Sequence, residues 1–121
     1  EIRTIEFANG VQLNLKYTEF GPNQLTIRTE VGQGSSIAPE GYAGLNLLTT
    51  FLAPADGLGA HKVEDLRRVL AGKQVATGYT MQSDTLSLNG DVTREDALLQ
   101  LQLMAAQISD PALSAEMQRK W

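Results

Sequence analysis

Every extended run in this 121-residue chain alternates apolar with polar side chains, which limits each strand to one buried face. Ile5 and Phe7 alternate with polar residues, and after Asn9-Gly10 the pattern resumes at Val11, Leu13, Leu15 and Tyr17. The Asn-Gly pair predicts a type I′ hairpin turn, and Gly21-Pro22-Asn23 predicts the next reversal. Leu25, Ile27, Thr29 and Val31 then share one face of a third strand, with Thr26, Arg28 and Glu30 on the other. Val75, Thr77, Tyr79 and Met81 read as a fourth strand, Ser83-Asp84 as a turn, and Leu86, Leu88 and Val92 as a fifth. Strands of this kind build a largely antiparallel sheet covered on one side only.

The covering layer is helical. Pro39 suits the first turn of a helix, where a missing N–H costs nothing. Leu45, Leu48 and Leu52 share a face of it that Leu47 and Phe51 widen, and Gly41 and Gly44 would allow close approach to the sheet. Residues from Pro54 to Gly59 end it. A second helix is expected from about Lys62 to Ala71, with Glu64 and Asp65 at its start, Arg67 and Arg68 later, and Gly72 as its terminal glycine. Thr93 reads as the cap of a third helix, with Glu95 and Asp96 in its first turn. Leu98, Leu101, Ala105 and Ile108 are its expected core face, flanked by Leu99 and Leu103. Asp110-Pro111 would restart a helix running to the end. The expected architecture is a single α+β domain over residues 1–121: a two-layer sandwich, one largely antiparallel five-stranded sheet with helices on one face, in the order βββααββαα.

Composition narrows the function. Basic residues are scattered and the net charge is -4, which argues against a nucleic-acid partner. No apolar run reaches the roughly 20 residues of a membrane helix, so no membrane partner is expected. The absence of cysteine removes disulfides, zinc ribbons and thiol catalysis. The chain starts at Glu1 and stops at Trp121 inside a helical pattern, so it reads as a piece of a longer protein.

Reactive chemistry is scarce. Gly32-Gln33-Gly34-Ser35-Ser36 lacks the Lys-Ser/Thr of a phosphate loop and reads as a strand-to-helix connection. His61 is the one histidine; even with Asp56 and Glu64 nearby it is a poor metal site and reads as a cap or exposed loop residue. The pairs Glu64-Asp65 and Glu95-Asp96 sit where helix starts favour negative charge. Ser35 and Ser36 have no evident base and no Gly-x-Ser-x-Gly elbow. The feature that invites a function is the polar face of the sheet, where Lys16, Arg28, Glu30, Gln82 and Asn89 are expected to point away from the helices. It reads either as a plain solvated face or as a surface that touches peptide or another domain.

Several marks occur in a telling order: Phe7-Ala8-Asn9-Gly10-Val11, Val31-Gly32-Gln33-Gly34-Ser35, Gly41-Tyr42-Ala43, and Leu70-Ala71-Gly72. Thr77-Gly78-Tyr79-Thr80-Met81-Gln82-Ser83-Asp84-Thr85-Leu86, Ala97-Leu98-Leu99 and Asp110-Pro111-Ala112-Leu113 follow them. Together they resemble one domain of the pitrilysin/insulinase family of zinc metallopeptidases, which includes mitochondrial processing peptidase. The resemblance implies a two-layer α+β domain, repeated within a larger protein whose halves enclose a chamber. Active members carry His-x-x-Glu-His on the helix that here follows Gly41-Tyr42-Ala43, and the motif positions fall on Gly44, Leu47 and Leu48. None of these can hold a metal or move a proton. The resemblance thus implies no catalytic and no metal-binding residue in this chain, and zinc in another domain of the parent protein.

The expectation is a non-catalytic domain of a zinc-dependent metalloendopeptidase that helps to form the chamber binding peptide substrates. Its partners would be the catalytic domain of the same protein and unfolded peptide, with the periplasm as the expected compartment and the cytoplasm as the alternative. Two other readings are a scaffold or assembly subunit of a relative that has lost catalysis, and a free-standing peptide-binding module.

Overall fold

The computed structural model describes residues 1–42, 44, 50, 57–112, 114, 115 and 119. The chain opens with a hairpin of β1 (Ile2–Glu6) and β2 (Gln12–Lys16), paired in register from Ile2 opposite Lys16 to Glu6 opposite Gln12. Its turn departs from the type I′ expectation. Gly10 lies at φ +85° but Asn9 is not left-handed, the Gly10 N–H bonds to the Phe7 carbonyl, and the Phe7 N–H bonds to the Val11 carbonyl. That is a three-residue loop with a glycine bulge, in which Asn9 Oδ1 accepts the Val11 N–H at 3.2 Å.

The second sheet is three-stranded, ordered β3 (Gln24–Val31), β5 (Leu86–Thr93), β4 (Gly78–Met81), and antiparallel throughout. The single five-stranded sheet is therefore corrected to two sheets, of two and three strands. The reason is local. The chain leaves β2 and reverses at Gly21-Pro22-Asn23, with Gly21 at φ +100°, Asn23 at φ +65° and the Gln24 N–H bonded to the Gly21 carbonyl. β3 then pairs with β5 along its whole length, and among the described residues β1 and β2 pair with each other alone. Most of the hairpin's apolar side chains, including Phe7, Val11, Leu13 and Leu15, are exposed.

A short 3-10 turn (Gly34–Ile37) follows β3 and ties to the β4–β5 reversal, because Ser35 and Ser36 donate their N–H groups to the Gln82 and Ser83 carbonyls. The expected first helix, with Leu45, Leu47, Leu48, Phe51 and Leu52, lies almost wholly outside the described residues. The helix expected near Lys62–Ala71 is α1 (Val63–Val69), with Glu64 and Asp65 in its first turn and Arg67 and Arg68 in its last. Gly72, at φ +82°, redirects the chain after it. Asp110 and Pro111 do not themselves open the expected last helix, although Ala115 and Arg119 beyond them are helical: Pro111 forms an antiparallel bridge with Leu58, and the Gly59 N–H bonds to the Asp110 carbonyl.

The third expected helix is α2 (Ala97–Ser109), and both its cap and its facing differ from expectation. Asp96, not Thr93, precedes its first turn, because Arg94 to Asp96 form a turn closed by the Asp96 N–H on the Thr93 carbonyl. The expected core face is turned outward: Leu98 is 67% exposed, Leu101 49% and Ile108 40%. The buried positions are Asp96, Gln100 and Met104, one turn apart, with Gln100 fully buried. Counting apolar residues failed because the packing surface of this helix is partly polar. The core it completes is Tyr79, Leu88 and Met104, with Ile27 and Leu86 packed against them. Thr29 donates its hydroxyl to the Met104 sulfur at 3.6 Å, and burial pushes the Tyr79 phenol up to about 12. No helix among the described residues is long and apolar enough to cross a membrane.

Candidate functional site

Side chains alternate along paired strands, so the β3–β5–β4 register decides which polar residues meet. Arg28 lies opposite Asn89 and Glu30 opposite Ser87, with Gly78 and Thr80 beyond them on β4. Arg28, Glu30 and Asn89 thus share one face. Arg28 Nη2 and Glu30 Oε1 are 2.7 Å apart, both more than half exposed, and Thr26 donates its hydroxyl to Asp91 Oδ1 at 2.6 Å on the same face. An exposed pair of this kind contributes about 0–1 kcal/mol and orders a surface rather than holding a fold.

The remaining expected residues lie elsewhere. Gln82 sits just past β4, its N–H on the Thr85 carbonyl and its own carbonyl receiving the Ser35 N–H. Lys16 belongs to the other sheet, opposite Ile2, and lines a broad cavity with Tyr17, Phe20 and Arg94 where the hairpin leads into β3. His61 is exposed and joined to Leu58 by a backbone bridge; Asp56 lies outside the described residues. Among the described residues no group of three or more His, Cys, Asp or Glu could hold a metal ion.

A different feature stands out at the edge of the sheet. The Gln82–Thr85 bond closes the β4–β5 reversal, so the pairs stepping back by two from it, Thr80 with Ser87 and Gly78 with Asn89, turn their backbone groups toward β5. The odd-numbered residues Tyr79 and Met81 turn theirs to the outer edge. Before Gly78, where a strand was expected from Val75, the chain has no pairing with β5, and side chains of α2 supply partners instead. Gln74 donates its N–H to Asp96 Oδ2 at 3.0 Å, and Ala76 donates its N–H to Gln100 Oε1 at 3.1 Å. Gln100 Nε2 in turn donates to Thr77 Oγ1 at 2.8 Å. Lys73 Nζ lies 3.2 Å from Asp96 Oδ1. The Gln74 N–H, with Lys73 and Thr93 behind it, holds the Asp96 carboxyl below the ordinary carboxylate range against the opposing effect of burial.

The space for this arrangement comes from Gly90 on β5. A Cβ there would collide with the Ala76 carbonyl and the Gln100 carboxamide. Among the described residues no partner takes the Val75 or Thr77 N–H, and β4 pairs on its β5 side alone. Val75, Ala76 and Thr77 also wall a cavity of about 110 Å³ with Leu58, Leu66, Leu70, Leu103 and Gln107, whose Oε1 is buried without a partner among the described residues. Sequence reasoning placed Asp96 in a helix first turn and passed over Gln100. The available signals were a Gln four residues after an Asp in an apolar helix, and a glycine inside a strand.

No protein-family model matches the chain, and no curated protein matches it in sequence. A solved structure does match. The crystal structure of the periplasmic protease PqqL from Escherichia coli superposes with a TM-score of 0.87 at 16% sequence identity, over 98% of this chain. This chain has the fold of a piece of a protease. It spans 13% of the length of that protein. At this identity the likeness carries the fold alone, and no residue role passes with it.

Proposed function

We propose that this chain is a non-catalytic domain of a zinc-dependent metalloendopeptidase similar to pitrilysin and insulinase, and that it helps to form the chamber in which peptide substrates bind. The observation that carries the reading is the outer edge of β4, which has no pairing strand among the described residues. An extended peptide can add to such an edge by main-chain pairing, which accepts many sequences. The fold shared with a periplasmic protease supports the proteolytic setting and, with it, the periplasm as compartment. The residues present do not fit a metal centre: Gly44, Leu47 and Leu48 stand where the resembling family places its zinc-binding motif. Hydrolysis is therefore assigned to another domain, and the polar face of Arg28, Glu30 and Asn89 is left to contact the catalytic domain or the substrate.

The test uses the full-length protein: zinc content alongside cleavage of a quenched, unstructured peptide, with and without chelator. About one zinc per chain with chelator-sensitive cleavage is the expected result. Cleavage that persists with the chelator, or absence of both zinc and cleavage, would overturn the reading.

A further inference from the structure

The chain contains two Asn-Gly pairs, Asn9-Gly10 and Asn89-Gly90, and such a pair carries a reaction of its own. The glycine nitrogen, shielded by no side chain, attacks the asparagine Cγ and closes a succinimide ring. A bond forms between Cγ and the glycine nitrogen, the bond from Cγ to the side-chain nitrogen breaks, and ammonia leaves with the proton that the glycine nitrogen gives up. Water then opens the ring at either carbonyl, which yields aspartate or isoaspartate, so water is the only co-reactant. We propose that the fold separates these two chemically identical pairs: Asn9 is a site of spontaneous deamidation and isomerisation, and Asn89 is kept intact.

Ring closure needs freedom to turn the backbone between the two residues and bring Cγ onto the nitrogen. Asn9 and Gly10 are exposed in the loop that joins β1 to β2. Apart from its chain neighbours, nothing lies within 4 Å of where a Gly10 Cβ would stand. Two bonds oppose the reaction, the Gly10 N–H on the Phe7 carbonyl at 2.9 Å and the Val11 N–H on Asn9 Oδ1 at 3.2 Å. Both belong to an exposed loop tip, where local opening costs least. Among the described residues β1 and β2 pair with no further strand, and a lone two-stranded hairpin is only marginally held.

Asn89-Gly90 is held from all sides. Asn89 lies opposite Arg28 on one side and Gly78 on the other, in the middle strand of its sheet. Gly90 is buried, and the space beside it is filled by the Ala76 carbonyl and the Gln100 carboxamide. Freeing this pair means taking β5 out of the sheet, which approaches unfolding of the protein. The two products at Asn9 also differ in their effect. Aspartate keeps an oxygen for the Val11 N–H and adds a negative charge. Isoaspartate routes the main chain through the side-chain carbons and so lengthens a loop that is closed by bonds from Phe7 to Gly10 and Val11.

The experiment incubates the full-length protein in neutral buffer, native and in guanidinium chloride. Both Asn-Gly peptides are followed by mass spectrometry, with isoaspartate and aspartate separated by chromatography. In denaturant the two pairs should convert at similar rates. In the native protein Asn9 should convert at least about tenfold faster than Asn89, forming both products. Asn9→Gln, whose cyclisation needs a larger and slower-forming ring, should abolish the fast conversion. A native rate ratio no greater than the ratio in denaturant overturns the proposal. So does an Asn9 that converts in denaturant but stays intact in the native protein, or a fast conversion that persists in Asn9→Gln. The comparison of the two pairs needs no variant, so it decides the matter within one protein.

Discussion

Gly90 and Gln100 interlock: a side chain at position 90 would enter the space held by the Gln100 carboxamide and the Ala76 carbonyl. Gly90→Ala is expected to destabilise the protein by about 1–3 kcal/mol, since the colliding atoms include backbone that cannot swing aside. Urea denaturation measures this. An unchanged midpoint would mean that β5 and α2 are not packed as described.

The inverted facing of α2 sets up a contrast within one helix. In the 121-residue chain, Leu101→Lys should cost no more than about 0.5 kcal/mol, while Met104→Ala should cost about 2–5 kcal/mol. Met104 is 2% exposed and Leu101 49%. Thermal or urea unfolding of both variants checks it, and the reverse ranking would restore the facing read from apolar spacing.

Ser87 is buried at 2% exposure, and its hydroxyl has no hydrogen-bond partner among the described residues. Ser87→Ala removes a desolvated polar group and leaves none behind. Stability is expected to stay level or rise, by up to about 1 kcal/mol. A clear loss in urea denaturation would show that the hydroxyl has a partner in solution.

Asp96 gives the fold an acid-sensitive joint. Its carboxyl is held below its ordinary value in the folded state, so the stabilisation is complete above the unfolded value of about 4 and is lost as pH falls through the lower folded value. Asp96→Asn should flatten stability against pH in that acid range while changing it little in slope near neutrality. Denaturation midpoints across an acid pH series test this; an equally steep acid loss in Asp96→Asn would assign the dependence to other carboxylates.

The strands were legible because alternation needs only local residues: Leu25 to Val31 and Leu86 to Val92 read as strands and pair as strands. Turns at Gly21-Pro22-Asn23 and Ser83-Asp84 were legible for the same reason. Which strands share a sheet depends on the path between them, and no residue in the hairpin announces that it pairs only with itself. On α2 the apolar count pointed outward because Asp96 and Gln100 take buried places that a hydrophobic pattern assigns to leucine. The polar face was partly legible: alternation put Arg28, Glu30 and Asn89 together, but it could not reveal that Lys16 lies in the other sheet. The bonds of Gln100 to Ala76 and Thr77 were not legible, since a glutamine's partners 23 and 24 residues away leave no periodic trace.

The acceptors for Gln74 and Ala76 lie 22 and 24 residues further along the chain. During synthesis the segment is therefore made before the helix that supplies its acceptors, and these two bonds form only after α2 docks on β5. An early, ready-made edge would invite pairing with neighbouring nascent chains. Here the order of manufacture postpones that hazard until the rest of the sheet exists. In pulsed-exchange refolding, the Gln74 and Ala76 amides should accordingly gain protection after those of β5, and simultaneous protection would contradict this order.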